Sequence, residues 1–406
     1  LAQSYPVRLI IAPDELRAKE IYENYQVFDP NILYYPARDI LFFQADLQSR
    51  HLTTQRVRVM KALAEVSSNA GQALASDGAA AAENFIPVTV VLTMSALMTH
   101  CMSAKLWTDA IRSYAPEDEI SLAQEQKALL EMGYERVSQV EQPGQYASRG
   151  DILDIYPLTE ENPVRIELWG DEIDSIRQFD AKTQRTREQL GRVFLYPASE
   201  FVTTPSVTAR GLEKVEKEAA RQEKKFRAEN LSEEAFRVRS IAEDAREKLT
   251  DLGDTTVMDG LCDYFYPDAV SLLDYFPEGT PVFIDEPVRT EEGAREAEAE
   301  FQDSISHRLE KGYVLPGQSK LLFPVRQIAE RLAHESLAGL MMQSGAKPSY
   351  PVTGRFDLSV SGTGVYNGNF ELLLRDLARY KKNRWRVVLL CASRTRGKRL
   401  ADDLTD

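Results

Sequence analysis

The first part of the chain alternates between short apolar runs and longer segments with apolar residues at helical spacing. Runs at 7–13, 32–39 and 87–93 are typical of strands, and the segment after the third run, 94–107, predicts a helix. Residues 53–66 predict an amphipathic helix, whereas 67–84 are small and low in complexity, which indicates a surface insertion or a mobile loop. Because strands and helices alternate, we expect a parallel α/β body here.

The pattern changes beyond residue 108. A predicted helix over 121–133 is followed by several short strands, which turn residues such as "PGQ", "TEENP" and "WGDE" separate from one another. This spacing predicts a compact, mostly antiparallel α+β domain that is inserted into the body.

The rest of the chain returns to longer elements. Two charged helices are predicted over 211–252, divided at Asn230 and Ser232, and 281–287 predicts another strand of the parallel body. Residues 385–404 predict a strand, a turn and a helix. We therefore expect four segments: 1–107 and 206–345 as the two parts of the body, 108–205 as the inserted domain, and 346–406 as a linker and the start of a further α/β domain. Since the chain starts at Leu1 rather than at Met, we expect it to be a fragment.

Composition narrows the class of protein. The 406 residues are 43% hydrophobic and 28% charged, which is usual for a globular protein. No apolar run approaches the roughly 20 residues of a membrane-spanning helix, so we expect no membrane partner. The three cysteines and four histidines are scattered, which favours a reducing cytoplasm and disfavours a structural zinc site. A net charge of −14 favours a scaffold that binds other proteins over a domain whose main role is to bind DNA.

The first candidate for chemistry is an apolar strand that ends at Asp285 and Glu286. Nucleoside triphosphatases hold Mg²⁺ with acids placed in this way, but they also need a phosphate-binding G-x-x-x-x-G-K-[ST] loop. The chain has no such loop, and its one Gly-Lys step, at Gly397, is followed by arginine. We therefore interpret this as a degenerate Walker B-like strand end, in which two acids face a loop, and expect neither ATP nor Mg²⁺ as a cofactor.

Two weaker signals lie elsewhere. The terminal stretch carries four basic residues after a predicted strand, where anions often bind, although an exposed basic helical turn is the simpler interpretation; they are Arg394, Arg396, Lys398 and Arg399. The Arg-Gly-Asp step at 149–151 is too short to indicate adhesion. Direct DNA binding through the basic turn stays an alternative.

The strongest candidate is the strand over 164–169. Its apolar positions alternate with polar ones, so we expect Arg165 and Trp169 to point outward on one face with Glu167 between them. Arginine and tryptophan are enriched among the residues that dominate binding energy at protein interfaces. The alternative is that Arg165 pairs with Glu167 or Asp151 as surface charge while Trp169 covers an edge. No catalytic constellation stands out.

These residues lie in stretches that resemble a known family. "YASRGDILDIYP", "PVRIELWGDEIDSIRQFDAKTQRT" and "RVFLYPASEF" closely resemble the UvrA-binding domain shared by the excision-repair protein UvrB and the transcription-repair coupling factor. Residues 34–63 and 271–287 are similar to the flanking parts of the same module. The resemblance extends from about residue 5 to residue 325, and the tail is similar to the coupling factor too.

Two departures favour the coupling factor over UvrB. The strand of the UvrB ATP site ends Asp-Glu-Ser-His, whereas here Pro287 follows Glu286, and there is no room after 32–39 for the long aromatic hairpin of UvrB. The resemblance therefore implies a non-catalytic N-terminal module that recruits UvrA, with a degenerate helicase-like body. It places the ATP- and Mg²⁺-dependent motor, and the contacts to RNA polymerase and duplex DNA, in domains downstream. The alternative is a nucleoside-triphosphate-dependent helicase or DNA-binding fragment related to UvrB.

The resemblance also implies which residues bind UvrA. An arginine in an Arg-Gly step, an arginine that enters the next strand and an aromatic residue four positions later match Arg149, Arg165 and Trp169. The aromatic residue of the family is commonly phenylalanine, so Trp169 is a departure that keeps an apolar ring but enlarges it.

Overall fold

The computed structural model describes residues 5–38, 50–75, 87–251, 253, 255–342, 347–358, 362, 366 and 368–404. The chain divides into two compact units, Leu1–Pro351 and Val352–Asp406. In the described residues, no helix has both the length and the apolar character needed to cross a membrane.

Thirteen strands and twelve α-helices make up the described chain. The strands are β1 (Val7–Ala12), β2 (Ile32–Tyr35), β3 (Val88–Thr93), β4 (Arg112–Tyr114), β5 (Glu135–Arg136), β6 (Gln145–Arg149), β7 (Ile152–Tyr156), β8 (Val164–Trp169), β9 (Glu172–Phe179), β10 (Thr186–Gln189), β11 (Val193–Leu195), β12 (Pro281–Asp285) and β13 (Ser336–Leu340). The helices are α1 (Glu15–Tyr25), α2 (Arg50–Ala75), α3 (Met94–Met98), α4 (Ala104–Thr108), α5 (Leu122–Glu131), α6 (Pro205–Ala228), α7 (Ser232–Arg246), α8 (Met258–Phe265), α9 (Pro287–Glu310), α10 (Val325–Leu332), α11 (Phe370–Lys382) and α12 (Arg394–Asp403).

A five-stranded parallel sheet forms the body of the first unit. Its order is β13-β12-β1-β3-β2, and every pairing is parallel. Buried side chains such as Leu9 and Leu92 on the strands share one core with Met60 and Leu63 of α2. The predicted parallel α/β body is confirmed. Because the strands are parallel, the carboxyl ends of β1 and β12 lie at the same edge of the sheet.

A smaller sheet of six strands lies between the two parts of the body in sequence. Its order is β10-β9-β8-β7-β6-β5, antiparallel except for the β5–β6 pair. One face is apolar, with Leu153, Ile155 and Ile166 fully buried. Helix α5 lies against this face, where Gln126 Nε2 donates to Ser148 Oγ at 3.1 Å. The predicted small α+β domain is confirmed, and its apolar face leaves the opposite face for polar side chains.

A buried group of charges ties the end of the small domain to the body. Arg38 Nη2 lies 2.6 Å from Glu200 Oε1, and Arg56 Nε lies 2.7 Å from the same oxygen. Arg38 Nη1 also contacts Asp259 Oδ1, on α8, at 2.8 Å. Burial alone raises the pKa of Glu200, but attraction to Arg38 and Arg56 outweighs it and lowers that pKa to about 2. We call these four residues the mounting network.

Three local predictions differ from the structure. The loop predicted from residue 67 is wrong as far as Ala75, since α2 continues to that residue, and 76–84 lies outside the described residues. The stretch is rich in alanine, which favours a helix. The helix predicted after β3 is divided into α3 and α4. The strand predicted near 385–391 is not formed in the described residues, because a strand needs a neighbouring ladder and none pairs with this segment.

Candidate functional site

The polar face of the small sheet is organised by strand register. Asp154 on β7 lies opposite Arg165 on β8, and Arg165 lies opposite Arg177 on β9. Side chains directly opposite one another in an antiparallel pair point to the same face. The register therefore places one acid beside the two arginines on this face. Arg177 contacts Glu167 Oε2 at 3.0 Å, which leaves Asp154 to Arg165.

Arg165 is held in a two-pronged ion pair. Its Nε donates to Asp154 Oδ1 at 2.7 Å and its Nη2 donates to Oδ2 at 2.8 Å, while Nη2 also donates to Gln184 Oε1 at 3.3 Å. The guanidinium carbon lies 4.7 Å from the centre of the Phe179 ring. The hydrogen bonds to Asp154 raise the pKa of Arg165 above its ordinary value. The sequence suggested Glu167 or Asp151 as a surface partner; the structure corrects this to Asp154, because register and not sequence proximity decides the pairing.

Arg149 reaches the same acid from β6. It is the last residue of that strand, and Gly150, with a φ of +58°, starts the turn into β7. Its Nη2 lies 3.3 Å from Asp154 Oδ2, and 54% of its side chain is exposed. Asp154 itself is 1% exposed. The structure thus brings Arg149 and Arg165 together on one buried carboxylate.

Asp154 is the residue that the sequence analysis missed. The sequence contains a signal for it, because the strand "ILDIY" has an acid among apolar residues. Such an acid is either buried or lies on a face of the strand that is exposed to solvent. A buried carboxylate needs a charged or hydrogen-bonding partner. That requirement predicts a basic or hydrogen-bonding side chain on a neighbouring strand, and the structure provides an arginine on each of the two.

Trp169 ends β8 and stands apart from the arginines. It is 86% exposed and precedes Gly170, whose φ of +67° begins the turn to β9. It lies four residues beyond Arg165 on the same strand, or about 13 Å at the usual rise of a strand. A register shift between Glu167 and Leu168 twists this end of the pair. The face therefore presents an arginine pair at one end and a bare aromatic ring at the other.

At the edge of the parallel sheet, Asp285 ends β12 and Glu286 follows it, and each has a partner within the chain. Arg17 Nε of α1 donates to Asp285 Oδ2 at 2.7 Å. Glu286 has a φ of +49° and accepts a hydrogen bond from the backbone N–H of Met342 at 2.8 Å. Asp285 is thus neutralised by an arginine of the first helix.

The connection from β1 to α1 lies at the same edge of the sheet as the end of β12. It consists of Pro13 and Asp14 alone, and Asp14 caps α1 by accepting a hydrogen bond from the N–H of Arg17 at 2.8 Å. Glu15, in the first turn, accepts a hydrogen bond from Thr93 Oγ1 at 2.7 Å. Carboxylates at this helix end repel phosphate, whereas a nucleotide site needs free N–H groups there.

The second unit carries the terminal basic residues. Ser393 Oγ caps α12 by accepting from the N–H of Arg396 at 3.3 Å, and the first turns of this helix are exposed. The predicted basic turn is therefore helical and accessible, and its role in DNA binding stays a prediction.

One group of side chains has atoms placed for a metal ion in the part of the chain that the structure describes. His100, Cys262 and Asp263 offer ligand atoms within 4.8 Å of one another, although His100 is far in sequence from the other two. His100 Nδ1 and Asp263 Oδ1 already share a hydrogen bond of 2.6 Å. Burial raises the pKa of the Cys262 thiol well above its ordinary value. We interpret the cluster as a structural contact.

The polar face lies within a region of the chain that matches a known domain family. Residues 113–201 match the UvrB interaction domain family, and this range includes Arg149, Arg165 and Trp169.

Longer similarities cover most of the chain. It is 30% identical over 380 residues to the transcription-repair-coupling factor of Bacillus subtilis (strain 168), an alignment that spans 93% of this chain and 30% of the relative. The transcription-repair-coupling factor of Staphylococcus epidermidis (strain ATCC 12228 / FDA PCI 1200) is 24% identical over 382 residues, with 94% of this chain and 30% of the relative covered. The UvrABC system protein B of Thermosipho africanus (strain TCF52B) is 29% identical over 298 residues, 68% of this chain and 42% of the relative. The chain spans about a third of the length of the coupling factors that it matches.

Proposed function

We propose that this chain is a docking module for UvrA in excision repair. Its residues 113–201 match the UvrB interaction domain family, and most of its length is similar to part of the transcription-repair coupling factors. The small sheet supplies the docking face, and the mounting network fixes that domain on the parallel body. Arg149, Arg165 and Trp169 are the residues that we propose make the contact.

The observation that carries this proposal is the convergence of Arg149 and Arg165 on Asp154, together with an exposed Trp169 farther along β8 on the same face. Arginine guanidinium groups donate in a planar fork that matches carboxylate geometry. We therefore expect acidic or carbonyl groups of UvrA to meet the arginines and an apolar pocket to cover the tryptophan ring. An exposed tryptophan of this kind is the residue type that most often dominates an interface.

The body supports a non-catalytic role for this chain. The short β1–α1 connection is not a phosphate-binding loop, and Arg17 neutralises the acid that a nucleotide-bound metal would need. Within the proposal, nucleotide hydrolysis with ATP and Mg²⁺ belongs to a motor elsewhere in the longer protein. Contacts with RNA polymerase and duplex DNA belong there too, and we place the whole process in the cytoplasm.

Calorimetric titration of the chain with UvrA tests the proposal. Substitution of Arg165 by Ala is expected to weaken binding by about 1–3 kcal/mol, as for a residue that dominates an interface. Arg187→Ala is the matched control, because Arg187 is about as exposed as Arg149 and pairs with Asp180 at the edge of the same sheet. The control should bind as the wild type does. Wild-type affinity in the Arg149→Ala/Arg165→Ala double variant would contradict the assignment.

A further inference from the structure

Arg149, Asp154 and Arg165 form a unit, which we call the ion triad. Asp154 is 1% exposed, so its charge is stable in the sheet only because the two guanidinium groups lie against it. Arg149 and Arg165 are in turn oriented by that one carboxylate. The three side chains come from three neighbouring strands, β6, β7 and β8, so the sheet itself sets their spacing.

The ion triad carries a surplus of one positive charge. Two guanidinium groups face one carboxylate, whereas the neighbouring pair of Glu167 and Arg177 balances itself. One further carboxylate, from outside the domain, would neutralise the surplus. The face is thus short of a single acid.

The two arginines of the triad are held unequally. Arg165 makes hydrogen bonds of 2.7 and 2.8 Å to Asp154 and lies over Phe179. Arg149 makes one hydrogen bond of 3.3 Å, and 54% of its side chain is exposed. Arg149 can therefore swing toward an incoming carboxylate while Arg165 keeps its place.

We propose that Asp154 is a positioning residue of the docking face. It holds Arg165 fixed and Arg149 close at hand, so that the ion triad forms a prepared receptor for one carboxylate of the partner surface. The inference rests on the proposed function, since it concerns the same face and the same partner. A face that is oriented before binding loses less side-chain entropy when the complex forms.

The Asp154→Asn variant separates orientation from charge. This substitution keeps the shape of the side chain but removes the carboxylate, so the face becomes more positive while its arginines lose their anchor. Positioning predicts that UvrA binds at least about tenfold more weakly in calorimetry, because a buried hydrogen-bonded charge pair has been broken. Attraction by net charge alone predicts tighter binding.

Glu167→Gln is the matched control. It makes the same change of charge on the same face without touching either arginine of the triad. We expect its affinity to equal or exceed that of the wild type. Tighter binding in both variants, or an Asp154→Asn affinity within about twofold of wild type, would overturn the inference. If instead the Arg149→Ala/Arg165→Ala variant binds like the wild type, the proposed function itself fails and the inference fails with it.

A triple variant guards against a purely structural role for Asp154. Asp154→Asn is added to the Arg149→Ala/Arg165→Ala background, where the acid has lost both partners. If Asp154 acts through the arginines, the triple variant binds UvrA no more weakly than the double variant and has a higher thermal midpoint, because a buried unpaired charge has been removed. A further loss of affinity together with a lower midpoint would assign Asp154 to the fold alone.

Discussion

We predict that the Glu200→Gln substitution in the mounting network lowers the free energy of unfolding. Glu200 is buried, and its carboxylate is shared by Arg38 and Arg56, which are 7% and 0% exposed. Glutamine keeps the size of the side chain but removes its charge. Among the described residues, the two buried guanidinium groups then keep Asp259 as their remaining acid, which contacts Arg38 at 2.8 Å.

The magnitude follows from the pKa and from burial. The pKa of Glu200 falls from 4.5 to about 2 in the folded protein. A tenfold change in proton affinity is worth ~1.4 kcal/mol, so the ionised carboxylate contributes about 3 kcal/mol at neutral pH. Removing one partner of a buried ion pair costs about 3–5 kcal/mol in other proteins. The free energy of unfolding should therefore drop by about 3–5 kcal/mol.

Urea unfolding measures this change in the free energy of unfolding, and the size of the change should depend on pH. Because the folded pKa lies below the unfolded one, the stabilisation is fully present above the ordinary pKa of 4.5 and is lost as the pH falls toward 2. The difference between wild type and Glu200→Gln should shrink to about 2 kcal/mol near about pH 3.5. Tryptophan fluorescence follows the transition, since Trp107 is buried and donates to the carbonyl of Ser199 at 3.1 Å, whereas the other two tryptophans of the chain are already exposed.

The control for this experiment is Glu330→Gln, which breaks an exposed pair with Arg326 on α10. Its unfolding midpoint should stay at the wild-type value, because water replaces the lost contact. A Glu200→Gln variant as stable as that control, or a difference from wild type that grows as the pH falls, would refute the account of the mounting network.

Two further predictions concern the docking face and the sheet edge. Trp169→Ala should leave the unfolding midpoint unchanged, because the ring is 86% exposed, but should weaken UvrA binding by about 2 kcal/mol or more in calorimetry; a fall in both would mean that the ring supports the fold. Equilibrium titration with ATP and Mg²⁺ should show no binding by the wild type or by Arg17→Ala, since freeing Asp285 does not create a phosphate-binding loop. Micromolar affinity for ATP would favour the alternative of a helicase fragment.

The layers of the fold were predictable because the spacing of apolar residues shows which face of each strand or helix is buried. The alternation of strands and helices then indicates how these elements are layered. The parallel body and the small antiparallel domain follow from these patterns. Strand β10 has four exposed residues and carries no such pattern, so it escaped prediction. The apolar segment 385–391 carries a strand pattern but forms no strand in the described chain, because ladder pairing depends on a neighbour rather than on the segment.

The site was predictable in part for the same reason. Alternation places Arg165 and Trp169 outward, and the described structure places Trp169 in solvent. The partner of Arg165 was not predictable from spacing, because an antiparallel register joins residues 154 and 165 across a turn while passing over the nearer acid Asp151. Likewise, the contact between Arg17 and Asp285 joins residues that only the parallel pairing of β1 and β12 brings to one edge.

That parallel pairing also sets an order of events during synthesis. Strand β1 is made before the small domain, but β12, its neighbour on one side, follows only after the whole small domain has been made. The strands of the small sheet are contiguous in sequence, so they can close their ladders without waiting for the rest of the chain. Translation of the segment between the two takes on the order of tens of seconds at typical rates. The docking face is therefore complete on the nascent chain before the body that carries it has closed.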